Sequence, residues 1–169
     1  MTKRVNPASP RSTKAPSSLA LDQQICFALY RASRAVIRAY GPLLEPLGIT
    51  YPQYLVLLVL WEGDARLVKE IGECLSLDSA TLTPLLKRLE EKGLISRQRS
   101  DADERKVYIR LTAQGKKLRD SVRGVPQAIA CAVGFDIRNA QHVKSLDKLR
   151  DSLMALAASL ESGPDRDLG

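Results

Sequence analysis

One histidine and three cysteines leave little ligating chemistry in a chain of 169 residues. His142 has no cysteine or second histidine at ligand spacing, so neither a metal site nor a Cys-His catalytic pair has support, and no cofactor is expected. Cysteines as sparse as Cys26, Cys74 and Cys131 do not build the disulfide framework of a small secreted domain, which makes a reducing cytoplasm the default compartment. Long apolar runs are missing too. The longest, Tyr54 to Trp61, is eight residues, against the roughly 20 that a membrane-spanning helix needs. Nor is there an acid among the first 21 residues, which carry Lys3, Arg4, Arg11 and Lys14 interleaved with Pro7, Pro10 and Pro16. Such a start shares its composition with a transit peptide but has no apolar core for export. It reads as a disordered basic arm over residues 1–19, matched by a flexible tail over 163–169.

What the chain does have is unevenly distributed charge. Of the net +7, the first 21 residues carry +4 and residues 79–117 carry +5, whereas 22–78 come to −2 and 118–169 to zero. A basic segment set in an otherwise neutral chain is the footprint of a phosphate-binding face, although charge alone fits a solvated face equally well. With 44% hydrophobic residues, 20–162 can close one sizeable core.

Periodicity organises that core. Leu21, Ile25, Leu29, Ala32, Val36 and Ala39 recur at steps of three or four, which predicts one amphipathic helix ending at Gly41-Pro42. Thr50 caps a second helix with Pro52 in its first turn and an apolar body through Trp61. Beyond a turn at Gly63-Asp64, Val68–Leu75 and Ser79–Lys92 form two helices joined by Ser76–Asp78, a helix-turn-helix closed by Gly93. Pro84 inside the second of them should cause a local irregularity. Leu94–Arg99 and Lys106–Leu111 then alternate like strands around the polar stretch 100–105, a hairpin placed as a wing. Thr112 begins a helix that reaches about Val133, kinked near Gly124 and Pro126. The last helix, about Asn139 to Leu160, sets Leu146, Leu149, Leu153, Leu156 and Leu160 at steps of 3, 4, 3 and 4. That stripe asks for a partner helix, either in its own chain or in a second copy, and the second copy is preferred. The predicted class is mainly α with a small β-hairpin wing: a winged helix-turn-helix lobe over 50–112, flanked by dimerisation helices over 20–48 and 113–162 of a homodimer.

The chemistry-bearing residues fall into two groups. In the second helix of the motif, the hydroxyls of Ser79, Thr81 and Thr83 lie near the positive end of the helix dipole, with Lys87 and Arg88 on the following turns. This set suits the phosphates and base edges of double-stranded DNA. In the wing, Asp103 is read as orienting Arg105 into the minor groove, while Arg97, Arg99 and Lys106 meet phosphates. The second group centres on Cys26, in the first turn or two of its helix with Tyr30 four residues on. A thiol reduces a peroxide only as its thiolate, and both a helix dipole and phenolic donors favour that anion. Attack gives a sulfenic acid, which a second thiol converts to a disulfide. Cys74, between Ile71 and Leu75, is expected in the core.

Asp103-Glu-Arg105 followed by Leu111-Thr112 resembles the wing signature of the MarR family of bacterial regulators. The segments 21–30, 49–54 and 77–84, with Cys26, Tyr51 and Pro84 in them, are similar to the organic hydroperoxide resistance regulators of that family. The resemblance implies a transcriptional repressor of a peroxidase gene, not an enzyme, that is relieved when an organic hydroperoxide oxidises Cys26. It further implies that Tyr40 and Tyr51 reach that sulfur from the other subunit, that Tyr30 lies nearby, and that Cys131 is the second cysteine of the two-cysteine class. Were the two sulfurs' Cα atoms more than about 7 Å apart at rest, a disulfide would require backbone motion, which could rotate the two lobes off half-sites about 34 Å apart. Two other readings stay open at this point: a repressor controlled by a small phenolic ligand, with Cys26 incidental, and a thiol peroxidase, which would leave the winged helix unexplained.

Overall fold

Helix α2 (Tyr51–Glu62) is apolar nearly all round, and such a helix must be enclosed by the rest of the fold. The computed structural model describes residues 19–99 and 106–162, and the chain divides into two compact units, Met1–Val36 and Ile37–Gly169. The basic arm up to residue 18, the wing tip with Asp103 and Arg105, and the tail 163–169 lie outside the described residues.

In the first unit a 3-10 turn at Leu21–Gln23 precedes α1 (Ile25–Leu44), whose N-terminal part belongs here. The predicted single helix from Leu21 is thus corrected at both ends. It begins at Ile25, and it continues through Gly41-Pro42 to Leu44. A proline so near a helix end forfeits only one late i→i−4 donor, and the burial of Leu44 in the core holds the last turn in place.

In the second unit Gly48, at φ +67°, turns the chain into α2, where Gln53 Oε1 accepts the Thr50 N–H at 3.0 Å. After Gly63 a two-residue strand β1 (Arg66–Leu67), not foreseen from sequence, leads into α3 (Val68–Leu75) and α4 (Ser79–Glu91). Helix α4 runs through Pro84, which lies in its second turn. Strands β2 (Ile95–Arg99) and β3 (Val107–Leu111) pair antiparallel, Ile95 opposite Leu111 and Arg99 opposite Val107, and β1 joins the other edge of β3. The wing is therefore a three-stranded sheet in the order β1-β3-β2.

Thr112 Oγ1 caps α5 (Ala113–Ser121) by accepting the Gly115 N–H at 3.0 Å. Where one kinked helix was expected, Val122–Gly124 separates α5 from α6 (Val125–Ala132), because Pro126 has no N–H to continue the ladder and fits only at a helix start. Helix α7 (Ala140–Glu161) follows, with Asn139 Oδ1 accepting the Gln141 N–H at 2.9 Å.

Around Val56, Leu57 and Leu60 of α2 close Ile71 from α3, Leu82, Leu86 and Leu89 from α4, and Ile95 and Ile109 from the sheet. Each such side chain contributes about 1.5–3 kcal/mol when fully buried. Cys74 is not in this core. Val68, Ile71, Gly72 and Leu75 define the inner face of α3, and position 74 is turned about 110° from its centre at 100° per residue, so the thiol is exposed. Gly115 marks the tightest seam: a Cβ there would meet the Leu94 carbonyl oxygen at 2.0 Å, and its own carbonyl accepts the Trp61 Nε1–H at 3.0 Å. No single helix among the described residues is long and apolar enough to cross a membrane.

Asp64 ties the turn after α2 to both the wing and α5. Its Oδ1 accepts the Leu111 N–H at 2.8 Å and the Ala65 N–H at 2.9 Å, while Oδ2 pairs with Lys116 Nζ at 3.2 Å. Partial burial pushes the carboxyl up, but the Leu111 N–H, Lys116 and the Ala65 N–H outweigh it and hold Asp64 below its ordinary value. Asp64→Ala should therefore cost about 1 kcal/mol in urea denaturation at neutral pH. Because the folded value is depressed, the contribution is complete above the ordinary carboxylate range of about 4 and disappears as pH falls through the folded value. The wild-type and Asp64→Ala stability curves should converge in acid.

Candidate nucleic-acid interface and thiol site

Helix α4 presents one apolar and one polar face: Leu82, Leu86 and Leu89 are buried, while Ser79, Thr81, Thr83, Lys87 and Arg88 are exposed. At its head Asp78 caps the helix, its Oδ1 accepting the Thr81 N–H at 2.7 Å, and that N–H together with the Thr81 hydroxyl holds the carboxylate low. This first-turn amide is thus already bound within the protein, and Thr83 Oγ1 donates to the Ser79 carbonyl at 2.7 Å. Outward-facing side chains, more than bare helix amides, make up the polar surface of α4. Lys87 reaches Glu91 at 3.9 Å on the same exposed face.

On β2, Arg99 is exposed, and Lys106 is exposed just before β3. Arg97 behaves differently. Its Nε lies 3.1 Å from Glu90 Oε2, so it ties the wing to the end of α4. The sequence reading had counted Arg97 with Arg99 and Lys106, since a pair between strand and helix leaves no trace in local spacing. Arg110, also exposed, on β3 opposite Ser96, is a cation that reading passed over.

The thiol residues lie on different elements. Cys26 is the second residue of α1 and is exposed. One turn on, Tyr30 is 56% exposed, and Arg34 Nη1 donates to its hydroxyl oxygen at 3.2 Å with the guanidinium 5.5 Å from the ring centroid. That i,i+4 pairing was visible in the sequence and went unused.

In the second unit Tyr40 and Tyr51 pack with centroids 4.6 Å apart, and the buried Tyr54 lies 5.8 Å from Tyr40 and 6.3 Å from Trp61. Tyr54 was missed because its place in an apolar run marked it only as core. Burial first, then the neighbouring phenols Tyr51 and Tyr54, push Tyr40 up to about 12, and burial raises Tyr51 as well. Tyr40 and Tyr51 therefore remain O–H donors across the physiological range. Cys131, next to last in α6, is exposed. Close by, Asp136 holds Arg138 at 3.1 Å and raises it, with Cys131 adding a smaller electrostatic contribution.

Helix α7 buries none of its residues: Leu146 and Leu156 are half-buried, whereas Leu149, Leu153, Met154 and Leu160 are exposed. His142 Nδ1 accepts the Asp136 N–H at 3.0 Å, and among the described residues no cluster of His, Cys, Asp and Glu could hold a metal ion.

Residues 38–122 match the family profile described as transcriptional regulator SarA/Rot. The organic hydroperoxide resistance transcriptional regulator of Bacillus subtilis is 48% identical over 126 residues, covering 75% of this chain and 84% of that protein. The HTH-type transcriptional regulator TtmR of Methylorubrum extorquens is also 48% identical, over 83% of this chain and 73% of its own. Among solved structures, reduced AbfR bound to DNA is 37% identical with a TM-score of 0.65, covering 81% of this chain and 94% of that one. Disulfide-formed AbfR matches with a TM-score of 0.59 and 37% identity, over 82% and 92% of the two chains. The same protein from Staphylococcus epidermidis gives 0.66 at 34% identity, over 83% and 93%.

Two measurements probe this geometry. Since Tyr40 is raised in the fold, stability is intact below the ordinary tyrosine value of 10.0 and falls as pH climbs from there toward about 12. Near-ultraviolet titration should accordingly find a late-ionising phenol that is lost in Tyr40→Phe. On duplex DNA, Arg99→Gln should flatten the slope of log K against log salt by about 0.9. Arg97→Gln should flatten it less, because Glu90 already neutralises that charge; equal slopes would show that the ion pair opens on DNA.

Proposed function

The chain belongs to the organic hydroperoxide resistance regulators of the MarR family, DNA-binding transcriptional regulators with a winged-helix fold, and on that premise we propose that it is a homodimeric repressor released from its operator by oxidation of Cys26. The exposure of Cys26 in the first turn of α1, where both the helix dipole and an approaching peroxide can reach the sulfur, carries this reading.

The chemistry balances without a cofactor. The Cys26 thiolate attacks one oxygen of the hydroperoxide; the S–O bond forms as the O–O bond breaks, and the leaving alkoxide takes a proton and departs as the alcohol. Sulfur, oxidised by two electrons, is now a sulfenic acid. The partner subunit's Cys131, as thiolate, then attacks this sulfur; the S–S bond forms as the S–O bond breaks, and the departing hydroxide takes a proton and leaves as water. Tyr40 and Tyr51, kept protonated by burial, serve as donors to the thiolate from the other protomer, and Tyr30 supports it from its own helix. The apolar stripe of α7 and the exposed Ile25 and Ile37 of α1 are the surfaces that dimerisation would cover.

On DNA, α4 enters the major groove with Ser79, Thr81, Thr83, Lys87 and Arg88, while Arg99 and Lys106 hold phosphates beside the wing. Asp103 and Arg105 at the wing tip complete the set, Arg105 in the minor groove. Disulfide formation between the protomers moves the two lobes off matched half-sites, and the DNA is lost. The relative AbfR has been solved reduced on DNA, overoxidised on DNA and with a disulfide formed, which supports a redox-active thiol in this family.

Treated with an alkyl hydroperoxide, wild-type protein should lose DNA affinity by a factor in the range of about 5–150, typical of coupled sites. Cys26→Ser should keep its DNA, and an equal loss in that variant would eliminate the redox switch. Cys131→Ser should still form the sulfenic acid, trapped with a dimedone probe, yet release DNA poorly or reversibly. A normal intersubunit disulfide detected in it by mass spectrometry would contradict the pairing.

A further inference from the structure

Gln53 is the buried polar residue of the described core, 1% exposed. Its Oε1 serves two donors. It accepts the Thr50 N–H at 3.0 Å, which closes the first turn of α2, and Lys92 Nζ at 3.2 Å. The same ammonium also donates to the carbonyl of Gly48. Lys92 is the C-terminal cap of α4, the helix that carries the exposed Ser79 to Arg88 face. One side chain therefore joins the far end of the DNA-reading helix to the turn of α2 that presents Tyr51, two residues before Gln53.

A second tie meets the first at the same place. The Gly93 carbonyl accepts the Thr112 hydroxyl at 2.6 Å, and the Leu94 carbonyl accepts the Thr112 N–H at 3.1 Å. Thr112 is the cap of α5, beyond which the chain continues through α6 to Cys131. Residues 92–94 are thus bound on one side to the element bearing a thiolate donor and on the other to the path that ends at the second thiol. Helix α4 is a rod of about 20 Å, so a small displacement at its C-terminus tilts the whole DNA-facing surface.

We infer that Lys92 and Gln53 are positioning residues that transmit the redox state of the thiol site to α4. This inference rests on the redox reading above and adds where the coupling passes. In the reduced state each polar group in this network is satisfied. When Tyr51 loses its thiolate partner and α6 is drawn toward the disulfide, the α2 turn and the α5 cap shift relative to each other, and the C-terminus of α4, held by both, tilts. A satisfied polar network holds its members in one geometry, so a shift in either tie moves the C-terminus of α4 with it.

The test compares Lys92→Met and Gln53→Leu with wild type. The probe is a duplex enriched from a random library by the reduced wild-type protein, with binding read by fluorescence anisotropy before and after alkyl hydroperoxide. Both variants should oxidise Cys26 at the wild-type rate by dimedone trapping and bind within about threefold of wild type when reduced. On oxidation their affinity should change by less than about threefold, where wild type changes by about 5–150-fold. Lys92→Arg, which keeps a cationic donor, should restore release. Reduced-state binding reports folding, and since the two variants cut the same link from opposite ends, either decides the matter if the other fails to fold. Release from an oxidised Lys92→Met or Gln53→Leu protein by the wild-type factor overturns the relay. If oxidised wild type itself keeps its DNA, the redox reading fails first, and that result is distinct.

Discussion

Helix α2 is apolar along most of its length and buries Tyr54, Val56, Leu57 and Leu60. Everything in the DNA-reading lobe is arranged to enclose it: α3 and α4 close from one direction, the sheet from another, and Trp61 at its end anchors α5 through the Gly115 carbonyl. Polar residues gather at the two turns that enter and leave α2. Gln53 sits at the entrance with Tyr51, and Asp64 at the exit with Lys116. Tyr51 and the anchor of the wing stand in this sense at the two ends of one rod.

The core packs densely and does not deform gradually, so a shift at one end of α2 is either resisted or passed on whole. Several of the hydrogen bonds that bridge elements lie at helix termini: Thr50, Lys92 and Thr112 each satisfy or present groups that a helix end would otherwise leave open. Chain ends of helices are cheap places to change partners, and a regulator needs such places.

Much of this was legible in the residues themselves. The bounds of α3 and the start of α4 follow from the tight connection Ser76–Asp78, and Gly93 marks the exit of α4, because turns and caps are local chemistry. Gly41-Pro42 misled for the same reason: a breaker pair states a local cost, and the burial of Leu44 outweighed it. Strand β1 could not be read, since two residues have no period and its existence depends on β3, more than forty positions away. Cys74 was placed in the core from its apolar neighbours in sequence, whereas the face of α3 is set by angle around the axis. Cys26, Tyr30, Tyr40 and Tyr51 stand out in the sequence, through resemblance as much as through chemistry. Gln53, Lys92, Asp64 and Glu90 do not, because Gln53 with Lys92 and Asp64 with Leu111 join residues far apart in the chain, and Glu90 with Arg97 joins a helix to a strand.

Gly115 has a mechanical corollary. With backbone packed on backbone at Leu94 and no side chain between them, there is nothing at that seam to slide or compress, so α5 and the base of the sheet behave as one stiff plate. Bending has to be taken up elsewhere, and Val122–Gly124, where the helical ladder is already interrupted ahead of Pro126, is the joint best built to take it.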